Sequence, residues 1–468
     1  MIFASMLFIW IFLPVTLVLY YLLSFTGKQE LLNLLLLLAS IFFYAWGEPR
    51  YILLLFISVA INYAGGMMIE HFRQVPSYRK AALALTVAIN LLLLGYFKYY
   101  NFFADNINAL FHGEIIPERD IVLPIGISFY TFQAMSYVID LYRGRCLLQR
   151  SFFKLLLYIM FFPQLIAGPI VRYRDVAEQI DDRRTDTEKF ALGIRRFIIG
   201  LGKKVLLANT FAEAVDTVFA LSASDLSTAI AWYGIFLYSM QIYFDFSGYS
   251  DMAIGLGKMF GFDFMENFDF PYMASSIREF WRRWHISLST WFKEYLYIPL
   301  GGNRKGRLRT YINLIIVFFA TGFWHGAGWA FVLWGLIHGF FSIMERLFLG
   351  DLLEKNPIKP LNHIYTLLVT GIAWVLFRAE ELPLAASYLS SMFSLRGIGD
   401  YGFFELFDTK CLVLSAAGLL LCGIISPGLQ KRITESGAFR IIGLPLIMLS
   451  CMAFLISGSY NPFIYFRF

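Results

Sequence analysis

The 468-residue chain is 58% hydrophobic and 18% aromatic, with only 15% charged residues and a mean hydropathy of +0.62. A soluble globular domain does not carry that balance, so much of its apolar surface must face lipid. The formal net charge of +6 does not argue for nucleic acid, because the basic residues gather in loops beside apolar runs, where orientation in a bilayer accounts for them.

Taken in chain order, the opening MIFASMLFIWIFLPVTLVLYYLL has no basic leader and no small-residue cleavage site, and reads as a retained helix. Apolar runs at 31–46, 51–69, 81–97 and 441–457 suit the crossing of ~30 Å of hydrocarbon at ~1.5 Å per residue. The whole pattern predicts an all-α polytopic membrane protein of about 11 or 12 transmembrane helices, filling residues 1–468 as a single membrane domain. Basic loops stay on the cytoplasmic side of a membrane, which places 71–80, 143–154 and 172–204 inside; the last includes Arg183, Arg184, Arg195, Arg196, Lys203 and Lys204. The loops 47–50 and 221–228, poor in Lys and Arg, then lie outside with the N-terminus.

Two apolar stretches are interrupted by Pro and Gly: FFPQLIAGPIVRY at 161–173 and FDFSGYSDMAIGLGKMFGF at 244–262. Both are expected to break midway and to line an interior, since freed backbone groups are tolerated at membrane depth only inside protein or beside water. Asp245 and Asp251 in the second stretch are candidates to orient a histidine, to hold an arginine such as Arg278, or to stabilise a broken helix end. FWRRWHISLSTWFKEYLYIPL, 280–300, forms on a helical wheel one amphipathic interfacial helix. Trp281, Trp284, His285, Leu288, Trp291, Phe292 and Tyr295 share its inward face, and Arg282, Arg283, Ser289, Lys293 and Glu294 the polar one. His285 is therefore either an inward functional group or an ordinary core histidine bonded to the backbone.

GGNRKGRLR, 301–309, is strongly basic. It serves as a cytoplasmic anchor, or as a patch for the phosphates of coenzyme A or an acidic carrier protein. From Tyr311 an upright helix would carry His325 ~21 Å into the membrane. TGFWHGAGWAFVLWGLIHG, 321–339, must then turn at HGAG, and the run 329–349 leads back to Arg346. A titratable group at that depth marks a functional site, and a buried neutral imidazole suits a general base. His338, 13 residues on, would lie ~20 Å from His325 if one helix carried both, and reads as a structural histidine. Cys146, Cys411, Cys422 and Cys451 have no paired or metal-ligand spacing. No HExxH, GxSxG, P-loop or HxxxxD pattern occurs, and the residues suggest no metal site.

Together, QIYFDFSGYSDMAIGLGKMFGF, ENFDFPY, FWRRWHISLSTWFKEYLYIPLGGNR and TGFWHGAGWAFVLWGLIHG, with FLPVTLVLYYLL and FFPQLIAGPIVRY, resemble the bacterial membrane-bound O-acyltransferases, and within them the alginate O-acetyltransferase type. The resemblance implies a motif core at about 120–350 of this sequence and a ring of tilted, re-entrant and interfacial helices around a central tunnel. It implies His325 and His285 as catalytic residues, with Trp324, Asp245, His338 and Gly326 supporting them or lining the tunnel. It also implies no bound cofactor, an acetyl-CoA or acyl-carrier thioester as cytoplasmic donor, an extracytoplasmic SGNH-type acetyltransferase as partner, and a polysaccharide acceptor. The setting would be a multi-pass protein of the bacterial inner membrane. The reading from another class is a transporter or flippase, with 161–173 and 244–262 forming its substrate site and the histidines relaying protons.

Overall fold

The computed structural model describes residues 1–184, 186–222, 224–394, 402–458 and 460–464. Among the described residues all regular structure is helical, the form in which a segment satisfies its own backbone hydrogen bonds in lipid. The chain divides into two compact units: Met1–Phe197 with Ser250–Met265, and Ile198–Tyr249 with Glu266–Phe468.

The first unit holds α1 (Leu13–Ser24), α2 (Gln29–Gly47), α3 (Ile52–His71), α4 (Pro76–Leu94), α5 (Tyr100–Phe111), α6 (Ile127–Tyr142), α7 (Phe152–Met160), α8 (Phe162–Leu165) and α9 (Tyr173–Asp181). α3, α4 and α6 pack on one another, with α6 buried almost end to end. The break expected at 161–173 is present: α7 stops at Met160, α8 makes one turn, and the chain runs irregularly to Arg172 with residues 161–171 all buried. Arg183, expected in an open basic loop, is instead buried. Its guanidinium donates to Asn33 Oδ1 at 2.6 Å and to Tyr20 Oη at 3.0 Å, and lies over the Phe262 ring.

α10 (Thr187–Gly202) and α12 (Thr228–Met259) contribute residues to both units, with α11 (Asn209–Phe219) between them in sequence. The break expected within 244–262 does not occur, because α12 is continuous over 32 residues. Its glycines serve close approach instead of bending. A Cβ on Gly255 would stand 2.7 Å from Gly193 O and 2.8 Å from Phe197 N, so the backbones of α12 and α10 meet where a side chain has no room. Asp251 does not hold Arg278; it pairs with Arg196 at 2.8 Å.

The second unit is built around α13 (Ile277–Arg283), α14 (Ile286–Phe292), α15 (Arg307–His325), α16 (Trp329–Met344), α17 (Gly350–Lys355), α18 (Lys359–Ala379) and α19 (Leu382–Phe393). The single helix expected over 280–300 is two helices and a wide turn at Lys293–Tyr297. The inward face survives the break: Trp284, His285, Leu288, Trp291, Phe292 and Tyr295 are buried, while Arg282 and Lys293 are exposed. α15 and α16 pack closely along each other, and α16 packs on α18.

Among the described residues six helices are long and apolar enough to cross a membrane, or seven if the bent pair Thr409–Gly423 and Pro427–Glu435 counts as one span. This is fewer than the 11 or 12 expected. Part of the apolar sequence lies in shorter helices such as Phe8–Ser24 and Leu382–Phe393, and α12, largely enclosed by protein, keeps Asp245 and Asp251 along its length. A helix buried in protein need not be uniformly apolar.

The glycine packing gives the first test. Gly255→Ala should lower the thermal stability of the detergent-solubilised chain, by the ~1–3 kcal/mol typical of overpacking. Gly371→Ala, in α18 where an added Cβ meets nothing within 4 Å, should be neutral or slightly stabilising. Equal effects of the two would show that α12 does not depend on the close approach.

Candidate active site

His285 sits at the junction of α13 and α14, fully buried, with a left-handed backbone (φ 43°) rare for a residue other than glycine. The loop that ends α12 holds it there. The segment at Asn267–Asp269 pairs with the junction through Ile286 N to Asn267 O and Asp269 N to Arg283 O, both 2.9 Å. Asn267, itself fully buried, offers Oδ1 to Ser287 N at 3.2 Å, Ser287 Oγ at 2.9 Å and His285 Nδ1 at 3.1 Å. An oxygen only accepts, so Nδ1 carries the proton in this arrangement and Nε2 is the ring's acceptor. Phe246 packs edge-on to the imidazole at 4.6 Å.

His325 ends α15, and Gly326 and Gly328 both adopt extended backbone before α16 begins at Trp329. The turn expected at HGAG is therefore present. A Cβ on Gly326 would lie 2.2 Å from the Phe331 ring, so that ring can close over the reversal only because the position is glycine. The Gly326 N–H donates to Gly322 O over a long 3.4 Å and so finishes the helix. An oxyanion would have to draw it away.

The two imidazoles come together, His285 and His325 having ring centroids 6.4 Å apart. Trp324 flanks both, at 6.2 Å from His285 and 5.0 Å from His325. Trp334 and Phe377 close the other sides of His325 at 5.0 and 5.3 Å. His325 is 3% exposed and Trp324 4%, which makes this an aromatic enclosure shielded from bulk water.

His338 is not remote from His325. The reversal folds α16 back along α15, and Trp334 touches both imidazoles, at 5.0 Å and 5.2 Å, so the sum of those two separations bounds the distance between them. The ~20 Å expected for one continuous helix does not apply. His338 is fully buried between Phe280, Trp281 and Trp334, and neither of its ring nitrogens has a hydrogen-bond partner among the described residues.

Asp245 is engaged elsewhere. It pairs with the equally buried Lys204 at 2.7 Å and accepts from Ile464 N at 2.9 Å, holding the chain near its C-terminal end onto α12. Sequence reasoning missed Lys204 as its partner. It also missed Asn267, Ser287 and Glu345, the last a buried carboxylate that accepts from Ile277 N at 2.6 Å and Arg278 N at 3.0 Å and so caps α13. Asn267 stands in the ENFDFPY motif, but nothing in its spacing to His285 announces the pairing.

A multi-pass helical membrane protein with two histidines enclosed among aromatic rings is the class that fold and site define. Residues 145–384 match the model of the membrane-bound O-acyltransferase family. The chain is 45% identical to a protein of Azotobacter vinelandii named Probable alginate O-acetylase, over 91% of this chain and 84% of that one. A protein of the same name from Pseudomonas putida is 42% identical over the whole of both chains. The Peptidoglycan O-acetyltransferase of Helicobacter pylori is 41% identical over 85% of this chain and 81% of its own. The chain belongs to the membrane-bound O-acyltransferase family, and it is an O-acyltransferase of the membrane.

Burial lowers the pKa of His285, to about 3. An unfolded histidine binds a proton below about pH 6.5, so between that value and the folded one the unfolded state holds more protons and stability falls as pH falls. His285→Asn should therefore flatten the loss of thermal stability between pH 7 and pH 5. Any constant offset from the altered contact with Asn267 drops out of the slope. An unchanged slope would mean that His285 already carries its proton when folded.

Proposed function

We propose that the chain takes an acetyl group from a cytoplasmic thioester, acetyl-CoA or an acyl-carrier thioester, and passes it across the bacterial inner membrane for O-acetylation of an extracytoplasmic polysaccharide. The observation that carries this reading is the enclosed pair His285 and His325, 6.4 Å apart. The relatives named for acetylation of alginate and of peptidoglycan support the acetyl group and the polymer class.

In the proposed reaction His325 is the general base. Its imidazole takes the proton of an acceptor hydroxyl as the oxygen attacks the thioester carbonyl; the new C–O bond forms, the C–S bond breaks, and the imidazolium returns the proton to the departing thiolate. His285, fixed by Asn267, presents Nε2 from the donor side and orients the reacting groups. The rings of Trp324, Trp334 and Phe377 keep water from competing as nucleophile. Delivery to the polymer involves an SGNH-type acetyltransferase outside the membrane.

His325→Ala should reduce acetyl incorporation into the secreted polymer by at least the ~10²–10⁴-fold of a positioned base, at matched membrane abundance and with little loss of thermal stability. Near-normal incorporation would remove His325 from the chemistry.

The sidedness rests on the basic loop 301–309 facing the cytoplasm. In a background with the four native cysteines replaced, Asn303→Cys should resist an impermeant thiol reagent in intact cells and react once the membrane is opened. Labelling from outside would overturn the topology and the cytoplasmic donor together.

A further inference from the structure

A polar cavity of about 830 Å³ in the second unit has none of the three enclosed histidines in its lining. Its walls come from the elements that carry the site. Arg278 and Arg282 stand on α13, which leads into His285; Arg307 opens α15, which ends in His325; Arg346 follows α16, which carries His338. Among the described residues none of these four guanidinium groups lies within ion-pair distance of a carboxylate.

Four carboxylates share the cavity with these arginines and Lys359 and offset the charge only in part. Glu279 is taken by Arg283 at 2.9 Å and by Ser275 Oγ at 2.8 Å. Glu345 is taken by the amides that begin α13 and by Tyr365 Oη at 3.1 Å. Asp351 and Glu354 are exposed, as are Arg282, Arg307 and Arg346, so screening weakens the interactions of both signs there. Arg278 is the most enclosed of the four arginines. Burial, then Arg346 and Arg282, lower its pKa against a smaller opposing pull from Glu345, so the three cations face one another at a cost that a further anion between them would relieve.

A basic loop that only orients the chain in the membrane would spread its charges over the surface, as Arg304 and Lys305 do in the neighbouring turn. Here arginines distant in sequence converge on one concavity with Ser275, Ser276 and Thr310 beside them as further donors. Guanidinium groups match the oxygens of phosphate in a bidentate way that ammonium groups do not. We propose that this cavity is a phosphate-binding site, in which Arg278, Arg282 and Arg346 hold a diphosphate or a pair of phosphate groups. That such a phosphate belongs to the acyl donor rests on the function proposed above; the binding itself does not. The same chemistry is offered by an anionic lipid headgroup.

The test is equilibrium binding of radiolabelled inorganic pyrophosphate to the full-length chain in neutral detergent, which requires no turnover. Saturable binding that weakens with added salt is expected. The double variant Arg278→Gln, Arg346→Gln should weaken it at least tenfold, Arg278→Lys less, and Arg304→Gln, outside the cavity, not at all. Thermal stability near that of the parent chain keeps a folding defect from passing as lost binding. Repeating the measurement with vesicles of phosphatidylglycerol or of phosphatidylcholine separates the sources: displacement by the anionic lipid alone assigns the site to a headgroup, and absence of displacement assigns it to a soluble phosphate carrier. No saturable binding of either pyrophosphate or phosphatidylglycerol, equal binding by the double variant, or an equal loss in Arg304→Gln would overturn the proposal. A chain that binds pyrophosphate but does not acetylate would overturn the function proposed above and leave this site standing.

Discussion

One side-chain oxygen sets the geometry of the site. Asn267 Oδ1 receives three donors, from the backbone and hydroxyl of Ser287 and from Nδ1 of His285, and it does so where no water competes. A left-handed conformation costs a non-glycine residue ~1–2 kcal/mol, and three buried hydrogen bonds at ~0.5–1.5 kcal/mol each offset that strain. The strain has a use. Continuing α13 into α14 would carry His285 round on a regular wheel, whereas the kink sets its ring opposite His325 and fixes its tautomer. Asn267 accepts the Nδ1 proton at 3.1 Å, with Ser287 Oγ 3.5 Å from the same nitrogen, and so orients the ring.

Features that depend on local chemistry were legible in the sequence. The hydropathy placed the chain in a membrane, HGAG announced the reversal after His325, FFPQLIAGP announced a broken segment, and the wheel over 280–295 chose six of its seven inward residues rightly, Trp281 being half-buried, while it missed the buried Phe280 and Ser287. What could not be read depends on contacts between distant residues. The glycines near Gly255 look like helix breakers, yet they let α12 and α10 touch. Residue spacing alone gives His338 a distance from His325, and only the packing of α16 on α15 sets the real one. The partners of Asp245, Asp251 and Glu345 lie tens of residues or more away along the chain, and no periodicity links them.

The buried charges and the buried imidazoles divide the work. Glu345 caps a helix, Asp245 is bound to Lys204 and a backbone amide, and Asp251 is paired with Arg196. Such groups are costly to bury and are retained only where a partner compensates. Once compensated, a carboxylate is a poor proton acceptor, since taking the proton would cost it the partner. An imidazole can be buried neutral and still accept a proton from a reacting hydroxyl, which is why the proposed reaction gives proton transfer to histidine.

The three enclosed histidines differ in their hydrogen bonding. His285 is tied through Nδ1 to a network that fixes which nitrogen can accept. Trp334 touches both His338 and His325, and among the described residues neither its indole Nε1 nor either nitrogen of His338 makes a hydrogen bond. The His338 ring, stacked on Phe280 and edge-on to Trp281, helps to hold the wall against which Trp334 presents itself to His325. In the proposed reaction the acid–base chemistry falls to His285 and His325, which stand at the two chain breaks beside α13 and α15.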